Sequence, residues 1–240
     1  MSRILVTGST DGLGRATADT LLRDGQDVIV HARTMARAEA VADLVDRGAT
    51  LVVADLSDRD AVIAAARDLD AGDPIDAVVH NAGVISGRAL IPVNVVAPYL
   101  FTALLRTPTR HVYLSSGMHR GGRPRLDGVD WDGTAETNTY SDTKLFVTAL
   151  AAEVAERRRG VLSNAVDPGW VPTKMGGAGA SDDLELGHRT QEALVTDPDA
   201  TISGGYWFHG QRQEPHQAVA DPQFRRQLVD ALATATGITL

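Results

Sequence analysis

The chain has 240 residues, 43% of them hydrophobic and 22% charged, with no cysteine and a formal net charge of -8 at pH 7. That length suits one α/β domain with a full core, and the acidic balance argues against nucleic acid and against an anionic membrane surface as partners. The missing cysteines exclude disulfides and thiol chemistry. No apolar stretch approaches the roughly 20 residues of a membrane span, and MSRILVTGST enters a strand pattern with no signal-peptide core, so a soluble, cytoplasmic protein is expected.

RILVTG reads as a short buried strand ending on glycine. LGRATADTLLRDG places Leu13, Ala16, Leu21 and Leu22 at helical spacing and closes on Gly25. DVIVHAR is a second strand, and TMARAEAVADLVDRG a helix ending at Gly48. TLVVADL, DAVVHNAG, RHVYLSS and VLSNAVDPG are four more apolar, β-branched runs, with helical stretches between them at about 58–69, 92–105 and 139–158. From Met175 to Asp221 the rhythm changes to Gly, Asp, Pro and Gln, with a helix near 183–195 and a short strand at GGYWFH. A closing helix is expected over 222–236. Apolar strands alternating with helices predict a parallel sheet covered on both faces. The expected fold is α/β: one doubly wound, mostly parallel sheet of about seven strands in a single domain over 1–240, with a variable substrate loop region at about 175–220.

Thr7, Gly8, Ser9, Thr10, Asp11, Gly12, Leu13 and Gly14 join the first strand to the first helix. The three glycines let the backbone turn sharply and approach a ligand. The helix N-terminus behind them offers N–H groups and positive potential suited to a pyrophosphate. Strand, glycine turn, helix and second strand together make the dinucleotide-binding, or Rossmann, arrangement. At the end of the second strand an acidic residue would hold the adenosine ribose, whereas an arginine suits a 2′-phosphate. Here Arg33 stands there, with Arg37 one helical turn on. NADP(H) is therefore favoured and NAD(H) stays open; Asp11 adds negative charge nearby and works against that preference.

The chain carries 21 arginines but only two lysines, Lys144 and Lys174. Tyr140 and Lys144 are four residues apart, so on a helix they share a face. A phenol with a reference pKa of about 10 is a poor base at neutral pH. A compact ammonium beside it, together with an oxidised nicotinamide ring, favours the phenolate and can also donate to ribose hydroxyls.

Together these motifs resemble the short-chain dehydrogenase/reductase family, from the first strand to about residue 175. TGSTDGLG is similar to its glycine turn, and Asp55 and Leu56 to its dipeptide beside the adenine. His80, Asn81, Ala82 and Gly83 resemble its NNAG motif with histidine in first place. Asn94 matches its fourth-helix asparagine, Ser116 its catalytic serine, and Tyr140 with Lys144 its YxxxK. Asp167, Pro168 and Gly169 resemble its proline–glycine step, followed by Val171 and Thr173. The resemblance implies that Ser116 orients the substrate oxygen and that Tyr140 is the general acid or base. It implies that Lys144 lowers the tyrosine pKa and holds the nicotinamide ribose, and that Asn94 supports a proton-carrying water chain. Thr7 to Gly14, Arg33, Asp55, Leu56, Asn81 to Gly83, Tyr140, Lys144, Pro168, Gly169, Val171 and Thr173 are the implied cofactor contacts. Ser115 is the weaker choice of serine on family position.

Ser116 lies 24 residues before Tyr140. The stretch GMHRGGRPRLDGVDWDGTAETNT looks like the insertion in the branch that includes retinol dehydrogenases and protochlorophyllide reductases, a branch that prefers NADP(H). The segment from Asn81 to Asn94 is short and trims the fourth helix. The family often pairs through its fourth and fifth helices, so a homodimer or tetramer is admitted, and the trimmed helix admits a monomer. The seven histidines form no HxxxH pair, and no metal is expected. His119 and His188 are candidates to face substrate, with a solvated histidine the favoured reading of each. Met118, Met175 and Trp207 are candidate pocket walls with core packing the favoured reading, and Trp170 is either a pocket wall or ordinary packing.

The expected function is NADP(H)-dependent interconversion of a small-molecule carbonyl and alcohol by hydride transfer. The alternative is a non-catalytic NAD(P)-binding regulator, which has no need of a phenol–ammonium pair. A nucleotide-sugar epimerase or dehydratase would need a larger C-terminal domain than follows the sixth strand.

Overall fold

Short apolar strands and the helices between them alternate along most of the chain. A computed structural model describes all 240 residues. Strand β1 (Arg3–Val6) leads into helix α1 (Gly12–Arg23), and β2 (Asp27–Ala32) into α2 (Met35–Ala38) and α3 (Ala42–Asp46). Then come β3 (Thr50–Val53), α4 (Arg59–Ala71), β4 (Ala77–His80), a π-turn (Pro92–Val96) running into α5 (Ala97–Leu104), and β5 (Arg110–Leu114). A 3-10 turn (Gly117–Gly121) precedes α6 (Tyr140–Arg157) and β6 (Leu162–Asp167). The chain ends with α7 (Leu184–Thr196), the hairpin β7 (Tyr206–Phe208) and β8 (Gln211–Gln213), α8 (Gln217–Ala220) and α9 (Pro222–Thr236).

The strands form one sheet in the order β3-β2-β1-β4-β5-β6-β7-β8, parallel except for β8. The order reverses between β1 and β4, where Val6 lies beside Val79. Helices leaving these two strands pass to opposite faces, so a crevice opens beyond their C-terminal ends.

Two details depart from the sequence expectation. The stretch 34–48 is not one helix: Val41 leaves helical geometry (φ -124°, ψ 12°) and buries its side chain among Val28, Val30 and Leu44. The sheet has an eighth strand because β7 folds back on itself. His209 and Gly210 both have positive φ, 47° and 76°, which is the two-residue hairpin geometry.

The two faces are unequal. One core cluster holds 34 buried residues from the α4, α5, α6 and α9 side, and the other 16 from the α1, α3 and α7 side. Helix α5 and most of α6 are consequently buried all round, with Phe224 and Leu228 of α9 against Phe146 of α6.

A polar seam runs through this core. His80 Nε2 lies 3.2 Å from His111 Nδ1, and the Thr102 hydroxyl bridges His80 to the Tyr113 phenol. His80 Nδ1 and His111 Nε2 have no partner. Burial pushes His80 well below the usual histidine value, and burial with the Arg158 charge pushes His111 down to about 3. Both rings are neutral in the fold but titrate near 6.5 when unfolded. Their contribution is full above that pH and is lost as pH falls from about 6.5 toward 3. Denaturation of the wild type should therefore lose stability faster than His111→Phe between pH 6.5 and 4; parallel curves would contradict this.

Candidate active site

The turn after β1 is fixed from behind. Gly8 N–H donates to His31 Nδ1 at 3.0 Å, and the other ring nitrogen of His31 meets Ala54 O at 2.9 Å. Asn81 Nδ2 donates to Thr7 O (2.9 Å) and Gly8 O (3.3 Å), and Ala82 N–H to the Thr7 hydroxyl (3.1 Å). A Cβ at Gly14 would collide with Gly8 O and the Asn81 amide, and one at Gly8 would come within 2.9 Å of Ala82 Cα. The glycines are thus required by close approach as well as by φ, which is 68° at Gly8 and 50° at Gly12.

Helix α1 starts at this turn. Asp11 caps it, its carboxylate accepting from Gly12 N–H at 2.8 Å, and its carbonyl takes Arg15 N–H. The N–H groups of Leu13 and Gly14 remain for a ligand. They face a cavity of about 500 Å³ that also touches Gly8, Thr10, Arg33, Arg37, Asp55, Leu56, Asn81, Ala82, Gly83, Tyr140, Lys144, Pro168 and Thr173. Paired N–H groups at a helix start, two arginines at one end and a phenol at the other fit a phosphate-bearing dinucleotide.

Several expected contacts stand behind the wall instead. Thr7 and Ser9 are buried, and the Ser9 hydroxyl donates to Val6 O while accepting from His31 N–H. These hydroxyls tie the turn to the sheet. Gly169 N–H donates to Asp167, and Val171 is buried. Asn94 sits in the π-turn with its amide committed to Val84 N (2.8 Å), Val84 O (2.9 Å) and Thr143 Oγ1 (3.0 Å). Its Oδ1 and Lys144 Nζ both lie beside Gly83, 3.4 and 3.6 Å from where a Cβ there would stand.

At the inner end, Tyr140 opens α6 and Lys144 follows one turn on. Their N-terminal turn is held by a capping box between Thr139 and Asp142. Arg123 of the long insertion ties in through its N–H and guanidinium, both at 2.8 Å from Asp142. Lys144 Nζ donates to Leu114 O at 2.6 Å and lies 5.4 Å from the Tyr140 ring centre. Burial lowers Lys144 to about 8, against the pull of Asp167. Burial raises Tyr140 to about 12, the Ser116 hydroxyl opposing this by hydrogen bonding and Asp167 adding to it. Lys144, expected to lower the phenol, contributes nothing to this shift: its ammonium lies against the ring and the Leu114 carbonyl. Ser115 is committed to Thr148 Oγ1 at 2.6 Å, which leaves Ser116 as the hydroxyl at the phenol.

At the outer end Arg33 is exposed near Asp55. Burial opposes ionisation of Asp55, but Ser57 N–H (2.9 Å), Ser57 O–H (2.7 Å) and Arg33 hold its pKa below the usual range.

Other residues occupy places that sequence reasoning did not assign. His119 and His188 are buried rather than solvated. His119 Nδ1 meets Ser116 O at 2.7 Å and its Nε2 accepts from His216 N–H, so it supports the serine turn. His188 pairs with Glu192 at 2.6 Å, a spacing of four that the sequence does display. Met118 and Met175 are exposed rather than in the core, and Met175 lines the cavity; Trp170 is exposed with its N–H on Gly176 O. Trp207 packs by the core with its N–H on Asn164. Asp167 holds the Tyr206 phenol at 2.9 Å behind the Ser116 turn.

A family model described as short chain dehydrogenase matches residues 2–106. Short-chain dehydrogenase chyC of Penicillium rubens is 34% identical across 100% of this chain and 99% of its own length. The chain belongs to the short-chain dehydrogenase family. This oxidoreductase is also 31% identical to human retinol dehydrogenase 13 over 72% of the chain and 60% of that protein, consistent with the retinol dehydrogenase-like branch. Among solved structures, an uncharacterised protein from Mycobacterium paratuberculosis superposes with a TM-score of 0.84 over 100% of this chain and 94% of its own, at 22% identity; that likeness concerns the fold. No helix of the oxidoreductase is long and apolar enough to cross a membrane.

Gly14→Ala should lower the stability of this dehydrogenase by at least about 1–3 kcal/mol through overpacking, read as a drop in melting temperature. Gly25→Ala is not its match, because nothing lies near Gly25 and only its φ of 78° is strained. A melting temperature unchanged in Gly14→Ala would overturn the close packing described for the turn.

Proposed function

We propose that the protein is an NADP(H)-dependent oxidoreductase that interconverts a carbonyl and an alcohol on a small-molecule substrate. The observation that carries this is a cavity lined by Tyr140 and Lys144 together with Arg33 and Arg37, with the Ser116 hydroxyl hydrogen-bonded to the Tyr140 phenol. When bound, a nicotinamide cofactor supplies or accepts the hydride. The chain's own residues handle the proton and the oxygen. Tyr140 is protonated over the physiological range and donates its proton to the carbonyl oxygen as general acid; in the reverse direction its proton first leaves by way of Lys144, and the phenolate then takes the proton of the alcohol. Ser116 hydrogen-bonds the same oxygen and orients it. Lys144 binds a ribose through its ammonium and replenishes the tyrosine proton, with Asn94 and Gly83 fixing its surroundings. Arg33 takes the 2′-phosphate, and Asp55 and Leu56 flank the adenine.

The chain is read as a monomer. The outer faces of α5 and α6, where the family resemblance would put a pairing surface, are covered by α9, by Trp131 of the insertion against Phe146, and by the C-terminal segment, whose Ile238 O accepts from the Tyr99 phenol at 2.6 Å. Light scattering should give the mass of one chain; a stable dimer would refute this reading.

Oxidation of NADPH and NADH against aldehydes, ketones and quinones tests the activity. Tyr140→Phe should lower kcat by roughly 10²–10⁴-fold, and turnover surviving in that variant would reject Tyr140 as the acid. Arg33→Ala should raise the NADPH KM and leave the NADH KM alone. Lys144 loses its charge as pH rises through about 8, so kcat/KM for reduction should be full below that value and fall above it.

A further inference from the structure

Lys174, the second of the two lysines, lies just past Thr173 on the loop after β6. Its ammonium pairs with Asp11 in the glycine turn. Asp11 also faces Arg37, whose guanidinium is 4.0 Å from the carboxylate and donates to the Thr10 hydroxyl at 3.3 Å. All of these residues border the cavity. The two walls touch at this point: a Cβ at Gly12 would come within 2.9 Å of the Thr173 methyl. Thus the loop after β6 closes on the start of α1 at Asp11 and Gly12, next to Leu13 and Gly14 on the same cavity wall, and brings a cation with it.

We propose that Lys174 is a ligand for the cofactor's pyrophosphate, held by Asp11 at the cavity mouth until the dinucleotide takes the carboxylate's place. This rests on the reading of the cavity as a dinucleotide site. The Lys174 side chain is 78% exposed and that of Asp11 40%, and an exposed pair of single charges is weak. A pyrophosphate offers more charge and several acceptor oxygens to the same ammonium. Asp11, by contrast, repels an incoming phosphate even as it caps the helix. The two partners of one ion pair therefore have opposite effects on cofactor binding.

Dissociation constants for NADPH and NADH, measured on the whole protein by calorimetry or nucleotide fluorescence, test this without reliance on turnover. Lys174→Met should weaken both nucleotides alike by roughly tenfold, the worth of one charge-assisted hydrogen bond. Asp11→Asn keeps an oxygen for Gly12 N–H and should bind both more tightly than the wild type. Melting curves establish that both variants are folded. If the two substitutions weaken binding equally, the pair is a structural clasp and the proposal fails. If Lys174→Met affects NADPH alone, the lysine serves the 2′-phosphate and the pyrophosphate assignment fails. If the wild type binds neither nucleotide, the dinucleotide reading itself falls, an outcome distinct from the other two.

Discussion

The approach of the β1–α1 turn to the end of β4 governs the rest of the site. Gly8 and Gly14 leave no room for a side chain, and the Asn81 amide spans the gap by bonding two carbonyls of the turn. That contact sets where α1 begins, and so where its free N–H groups point. It also fixes the Ala82–Gly83 step, which brings Asn94 and Lys144 to the same point from two different helices. The cavity is the space this contact leaves at the place where the strand order reverses.

Burial then divides the proton-carrying groups. The phenol of Tyr140 rises to about 12 and the ammonium of Lys144 falls to about 8, because desolvation disfavours whichever form is charged. Asp167 pulls both upward, opposing burial at the lysine and adding to it at the tyrosine. The proton is thus held more firmly on the phenol than on the ammonium, on an atom that also meets the Ser116 hydroxyl.

The fold was legible because six apolar runs announce six parallel strands, and the glycine turn names the face on which the crevice opens. The eighth strand was not, since Gln211–Gln213 is polar, three residues long, and made a strand only by the His209–Gly210 turn. Motif order located Tyr140, Lys144, Asn81 and Arg33, but it carries no information on which way each side chain faces. Thr7 and Ser9 belong to the motif and still point into the sheet. His119 was read as solvated because its partner His216 lies 97 positions away. Lys174 stood out only by rarity, and its meeting with Asp11 needed the tertiary fold.

The long insertion is tied to α6 by the pairing of Arg123 with Asp142 and by Trp131 against Phe146, and to the rest of the fold by the Arg59–Asp132 ion pair and where Gly133 lies against Pro92 and the Arg88 carbonyl. Between and beyond these points its backbone at Gly128 has no close neighbour. Such an arrangement separates inheritance of chemistry from inheritance of selectivity. Descendants can change the open turn at Gly128 without touching the core, while any lineage that loses the arginine or the aspartate loosens the first turn of the helix that Tyr140 opens.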